Sequence, residues 1–77
     1  MNIKVPETTV HRLPRYGYVR VNAGDILVIL SRIGVSVDHD MGGSRFYPYQ
    51  RKNLARYSTE RLKSLAFRYI YESGMTP

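Results

Sequence analysis

The spacing of apolar positions changes along this chain, and the change divides it into elements. Tyr16-Gly17-Tyr18-Val19-Arg20-Val21 alternates apolar and polar residues and is rich in aromatic and branched side chains, which predicts a strand. Val35-Ser36-Val37-Asp38 alternates again. Met41-Gly42-Gly43 then supplies residues suited to positive φ, and Ser44-Arg45-Phe46-Tyr47-Pro48-Tyr49 follows, so a hairpin is expected. Pro48 has no N–H to give a ladder, which makes the second strand an edge or ends it there. Alternation puts Arg45, Tyr47 and Tyr49 on one face and Phe46 on the other, so Phe46 is the core candidate. Near the C-terminus the period lengthens. Leu62, Leu65, Ala66, Tyr69 and Ile70 follow the i, i+3, i+4, i+7, i+8 pattern of an amphipathic helix, with Ser58 as N-cap, Glu60 in the first turn and Gly74 as the stop.

Residues 22–34 fit two descriptions. Asn22-Ala23-Gly24-Asp25 can be a hairpin turn leading into a strand over residues 26–30, or the start of a helix capped by Asn22. Ile26, Ile29, Leu30 and Ile33 sit at helical spacing, Arg32 falls in the last turn and Gly34 stands at the C-cap, which tips the reading to a short helix. The unbroken apolar run over residues 26–30, with three branched members, suits a buried strand as well. Residues 51–57 predict one or two helical turns with Leu54 facing inward. Residues 1–16 carry Pro6, Pro14 and the bases Lys4, Arg12 and Arg15 without a sustained period, and read as an extended arm or a frayed terminus. The alternation at Ile3 and Val5 would let the arm add to a partner's sheet edge.

The expected fold is therefore α+β: one domain over residues 1–77, with an antiparallel sheet, a Gly-Gly hairpin and a C-terminal amphipathic helix packed across the sheet. An all-β meander plus that helix is the alternative. A chain of 77 residues has room for one core. Cys is absent, which removes disulfides and thiolate chemistry and leaves packing to hold the core. No apolar run approaches the roughly 18 residues of a spanning helix, and residues 1–6 lack the apolar centre of a secretory signal, so a cytoplasmic location and no membrane partner are expected.

Charge narrows the function. Twelve Lys and Arg against six Asp and Glu give a net +6, which favours an anionic partner. The excess is segregated: Arg45, Arg51, Lys52, Arg56, Arg61, Lys63 and Arg68 face only Glu60 between residues 44 and 71. Arg61 and Arg68, seven apart, share a helix side away from the apolar stripe. Such a stripe suits phosphate contacts, and Tyr47 and Tyr49 can stack on unpaired bases; the plainer reading is that the cations solvate the helix and the rings turn inward. Catalytic signatures are sparse. Asp38-His39-Asp40, with His11 brought in by the arm, would make a metal site, but the same residues also solvate a hairpin tip. Gly42-Gly43-Ser44 offers an anion nest, yet no phosphate-loop or dinucleotide fingerprint accompanies it. No enzyme, no cofactor and no small-molecule substrate are expected.

Two resemblances follow. Ile29-Leu30-Ser31-Arg32-Ile33-Gly34-Val35-Ser36, continued by Gly42-Gly43-Ser44-Arg45-Phe46-Tyr47, resembles the helix, turn and wing of excisionase and MerR-type winged-helix proteins. That resemblance implies DNA binding with Gly42, Gly43 and Arg45 in the wing, although residues 37–41 leave barely one turn for the recognition helix. In size, charge and layout the chain also resembles small phage-encoded regulators that bind host RNA polymerase. This second resemblance implies a non-enzymatic transcription regulator docking on polymerase or another acidic protein surface, with DNA or RNA alongside. The residues expected to meet the partner are Arg15, Arg20, Arg45, Tyr47, Arg51, Lys52, Arg56, Arg61 and Arg68. An inhibitor of a nuclease or other defence protein is a third reading.

Overall fold

The computed structural model describes residues 7–48 and 54–75. Five strands, β1 (Thr8–Leu13), β2 (Tyr18–Ala23), β3 (Ile26–Ser31), β4 (Gly34–His39) and β5 (Ser44–Pro48), form one antiparallel sheet in sequence order. A 3-10 turn, Leu54–Arg56, leads to the helix α1 (Thr59–Ser73), which lies across one face. This is the α+β domain that the patterning predicts. Its sheet is the five-stranded meander.

The short helix expected over residues 26–33 does not form. Ile26, Val28 and Leu30 are buried at period two while Leu27 and Ile29 are half-buried on the other face. Every position from 26 to 30 is apolar, so the helical spacing was matched by a run that matches any period. The decisive residue is Ile33, which a helix would bury and which is 72% exposed in a two-residue turn. Gly24, at φ 58°, closes the preceding two-residue turn and pairs Ala23 with Ile26. The strand–turn–strand at residues 29–36 also removes the helix on which the winged-helix resemblance depends.

Within the stretch expected to be an extended arm, residues 8–13 are a strand of the sheet. Residues 8–13 pair with β2 along their whole length, from Thr8 opposite Ala23 to Leu13 opposite Tyr18. A tight turn follows, in which the Tyr16 and Gly17 N–H groups both donate to the Leu13 carbonyl at 3.0 Å. The proposed alternation at Ile3 and Val5 lies outside the described residues.

The core is the interface between α1 and the face made by Val19, Val21, Ala23, Ile26, Val28, Leu30, Val35 and Val37. Leu62, Leu65, Ala66, Tyr69 and Ile70 supply the helical side, and Leu54 closes one end. Each of the buried Val, Leu and Ile side chains contributes about 1.5–3 kcal/mol through removal from water. Ser58 caps α1 as expected, accepting the Arg61 N–H on its side-chain oxygen at 3.1 Å, and Gly74 ends it at φ 79°.

Phe46 is not in this core. It pairs with Ser36 on the uncovered face and is 57% exposed. Alternation was read correctly but the buried face was assigned to the wrong parity: Val35 and Val37 lie opposite Tyr47 and Arg45, so those two share the helix side. Phe46 has another task. Its ring covers Gly34, where a Cβ would meet the ring Cζ and lie 2.7 Å from Cε2.

Candidate docking surface

The strand register fixes which charged groups share an end of the sheet. At one end lie the β1–β2 turn with Arg15, the β3–β4 turn with Arg32, and Arg12 next to Leu13. At the other lie the Gly24-Asp25 turn and the β4–β5 turn with Asp40. The helix runs from the first end to the second. Arg12 Nη2 donates to the Tyr57 carbonyl at 2.6 Å just before the helix begins, and the Met75 methyl lies 3.6 Å from where a Gly43 Cβ would stand, just after it ends.

The ends of the molecule differ in charge. Arg12, Arg15, Arg32, Arg56 and Arg61 gather toward the first end, while Arg45 lies toward the second and Arg20, Lys63 and Arg68 lie between. All the acids except Glu60 belong to the second: Glu7 precedes β1, Asp25 and Asp40 occupy turns, Asp38 pairs with Ser44, and Glu72 sits in the last helical turn. Among the described residues the one ion pair is Lys63 with Glu60 at 3.9 Å, so the arginines at the basic end are not neutralised from within.

Local packing orders this end. The Arg61 guanidinium stacks 4.3 Å from the centroid of the half-buried Tyr57 ring, while Arg12 holds the backbone of the same residue. Between the β1–β2 turn, Arg32 and the 3-10 turn lies a cleft of about 330 Å³. Among the described residues Leu13, Pro14, Leu54 and Ala55 give it apolar walls, with Arg12 and Arg32 beside them. An apolar cleft edged by guanidinium groups accepts a group that is apolar in its middle and anionic at its margin.

The expected partner-binding residues separate into groups. Arg15, Arg56 and Arg61 are together at the basic end, exposed. Arg20 is exposed on the uncovered sheet face, one residue from the buried Val21 and Val19. Arg45 lies beside Val37 in the acidic half of β5, on the sheet face that carries the helix, and Arg68 is exposed on the helix two turns beyond Arg61. Tyr47 is half-buried with its ring 5.3 Å from that of Tyr69, which commits it to packing instead of stacking on a ligand. Arg51, Lys52 and Tyr49 lie outside the described residues. Arg12 and Arg32, outside the expected set, edge the cleft. Reading residues 26–31 as a strand would have found Arg32, since a hairpin returns it to the end occupied by Arg15.

The acidic end is internally occupied. Asp38 accepts hydrogen bonds from the Ser44 hydroxyl at 2.6 Å and the Ser36 hydroxyl at 3.2 Å, and His39 Nδ1 accepts the Met41 N–H at 3.0 Å. His11 is on β1, three strands away from β4, so it does not join Asp38, His39 and Asp40. Among the described residues no three His, Asp or Glu side chains form a group that could hold a metal ion. The Gly42 N–H closes the turn onto the His39 carbonyl at 3.0 Å and so is withdrawn from an anion nest. Also among the described residues, no helix is long and apolar enough to cross a membrane.

Comparison with known proteins finds no matching family model, no matching curated protein and no matching solved structure.

Proposed function

We propose that this chain is a non-enzymatic transcription regulator of the phage type that docks on RNA polymerase through its basic end. The observation that supports the reading is the grouping of Arg12, Arg15, Arg32, Arg56 and Arg61 toward one end of the sheet, where Arg12 and Arg32 edge an apolar-walled cleft, with every acid but Glu60 toward the opposite end. A molecule polarised in this way is oriented by an acidic surface before contact, which raises the rate of encounter and fixes which end arrives first. The cleft then provides what charge alone does not, an apolar seat where a partner side chain loses water.

An acidic protein surface fits this arrangement better than major-groove DNA. Among the described residues no helix protrudes to enter a groove, because α1 is held flat on the sheet by the side chains that form the core.

The test is direct. The tagged, folded chain is mixed with purified bacterial RNA polymerase, and with the lysate of its host, at about 0.15 M salt. Polymerase subunits should be retained by the wild-type chain, and retention should drop at least tenfold with Arg56→Glu and Arg61→Glu together. A folded bait that captures no polymerase subunit from either source overturns the proposal.

A further inference from the structure

The face of the sheet turned away from α1 is not covered by any described residue, and its side chains are those of a stacking surface. We propose that this face is a platform for single-stranded nucleic acid, which shares Tyr18, Arg15 and Arg32 with the basic end but lies on the opposite side of the sheet from Arg61.

Strand alternation sends Tyr18, Arg20 and Asn22 of β2 to this side, because Val19, Val21 and Ala23 are buried beneath the helix. These three offer a ring, a cation, and an amide able to donate and accept. Tyr16, 70% exposed in the adjoining turn, extends the ring surface: its centroid is 6.1 Å from that of Tyr18, with the planes inclined by 35°. Across the sheet, Phe46 presents a second ring, fixed over Gly34. Tyr18 and Phe46 stand three strands apart and two residues out of level, about 16 Å at the usual strand spacing of ~4.8 Å and rise of ~3.3 Å per residue. That separation suits two or three bases, the number that sheet platforms of similar width stack.

The charge on this face selects the occupant. Arg20 is exposed near its centre, level with His11, Ile29, Ser36 and Phe46. Arg15 and Arg32 stand at its basic rim. The single acid of the strands on this side, Asp38, has its two carboxylate oxygens engaged by Ser36 and Ser44. A phosphate chain crossing the sheet meets cations along its path and rings for its bases, which is the arrangement used for single strands without sequence preference. A second copy of this chain fits poorly, because two-fold pairing of like faces brings one arginine-centred surface against another.

Fluorescein-labelled twelve-nucleotide oligothymidylate and oligouridylate serve as probes, with binding followed by anisotropy at about 0.05 M salt and on raising the salt. Retention of either probe is expected, with log affinity falling against log salt at a slope of roughly −2, as three phosphate contacts would give. Tyr16→Ala and Arg20→Glu should each weaken binding about fivefold or more, with thermal melts confirming that both remain folded. Arg56→Glu with Arg61→Glu should weaken it less than Arg20→Glu does, through the loss of net charge alone. This pair separates the platform from the polymerase contact, since it acts far more strongly on the latter. The proposal is overturned if the wild-type chain binds neither probe at low salt, if the Arg56 and Arg61 reversals weaken binding as much as Arg20→Glu does, or if the face proves to be a dimer interface that Tyr16→Ala dissociates.

Discussion

Replacing Gly34 by Ala tests how the uncovered face is built. Gly34 lies in extended β4 backbone, so its need for glycine comes from proximity and not from a special φ. A methyl group there would meet the Phe46 ring at Cζ, approach Cε2 at 2.7 Å, and come within 2.6 Å of the Tyr47 carbonyl oxygen. The ring can swing aside, but doing so exposes the strand it covers. The carbonyl belongs to the neighbouring strand, and moving it strains the β4–β5 ladder. Two obstructions, one of them backbone, place the cost in the upper part of the overpacking range of about 1–3 kcal/mol. For a domain of this size a loss of ~2–3 kcal/mol lowers the melting midpoint by roughly 10–20 °C. Urea and thermal unfolding of Gly34→Ala, Phe46→Ala and the double variant give the coupling directly. The double variant should be more stable than the sum of the single effects predicts, by roughly 0.5–1 kcal/mol, because removing the ring leaves only the carbonyl contact. A Gly34→Ala protein within 0.5 kcal/mol of wild type, or additive effects, would refute the packing of Phe46 over Gly34.

Three further outcomes follow from the same geometry. Ser58→Ala removes the side-chain acceptor of the Arg61 N–H and should cost about 1 kcal/mol in urea unfolding, while Ser58→Asp should retain most of the stability. Leu62→Ala opens a cavity at a fully buried site and should cost about 2–5 kcal/mol, enough to leave the chain partly unfolded at 37 °C in circular dichroism. Arg12→Ala breaks the bond to the Tyr57 carbonyl and should cost roughly 1 kcal/mol, with faster amide exchange over residues 54–57 as its local signature.

Much of the fold was legible because its signals are local. Ser58, Gly74 and the stripe from Leu62 to Ile70 specify the helix by cap chemistry and period, and Gly42-Gly43 specifies the last hairpin. The segment over residues 26–33 was not legible from period, since an unbroken apolar run carries none; the turn pair Gly24-Asp25 and the exposed Ile33 decide it, and exposure is a tertiary property. Phe46 was misplaced for a related reason. Alternation tells which residues share a face, but only the docked helix says which face is buried. The basic surface was visible as an excess of charge, and its true grouping was not. Arg12 and Arg15 meet Arg32 and Arg56 only through antiparallel register, which brings distant turns to one end of the sheet.

Amide hydrogen exchange on the chain bound to purified bacterial RNA polymerase addresses the central claim most directly. The account predicts new protection confined to the basic end, in the turn over residues 14–17, at Arg32 and Ile33, and over Leu54–Arg56. Protection confined instead to Gly24, Asp25 and the turn over residues 40–43 would mean that the acidic end meets the partner, and would contradict it.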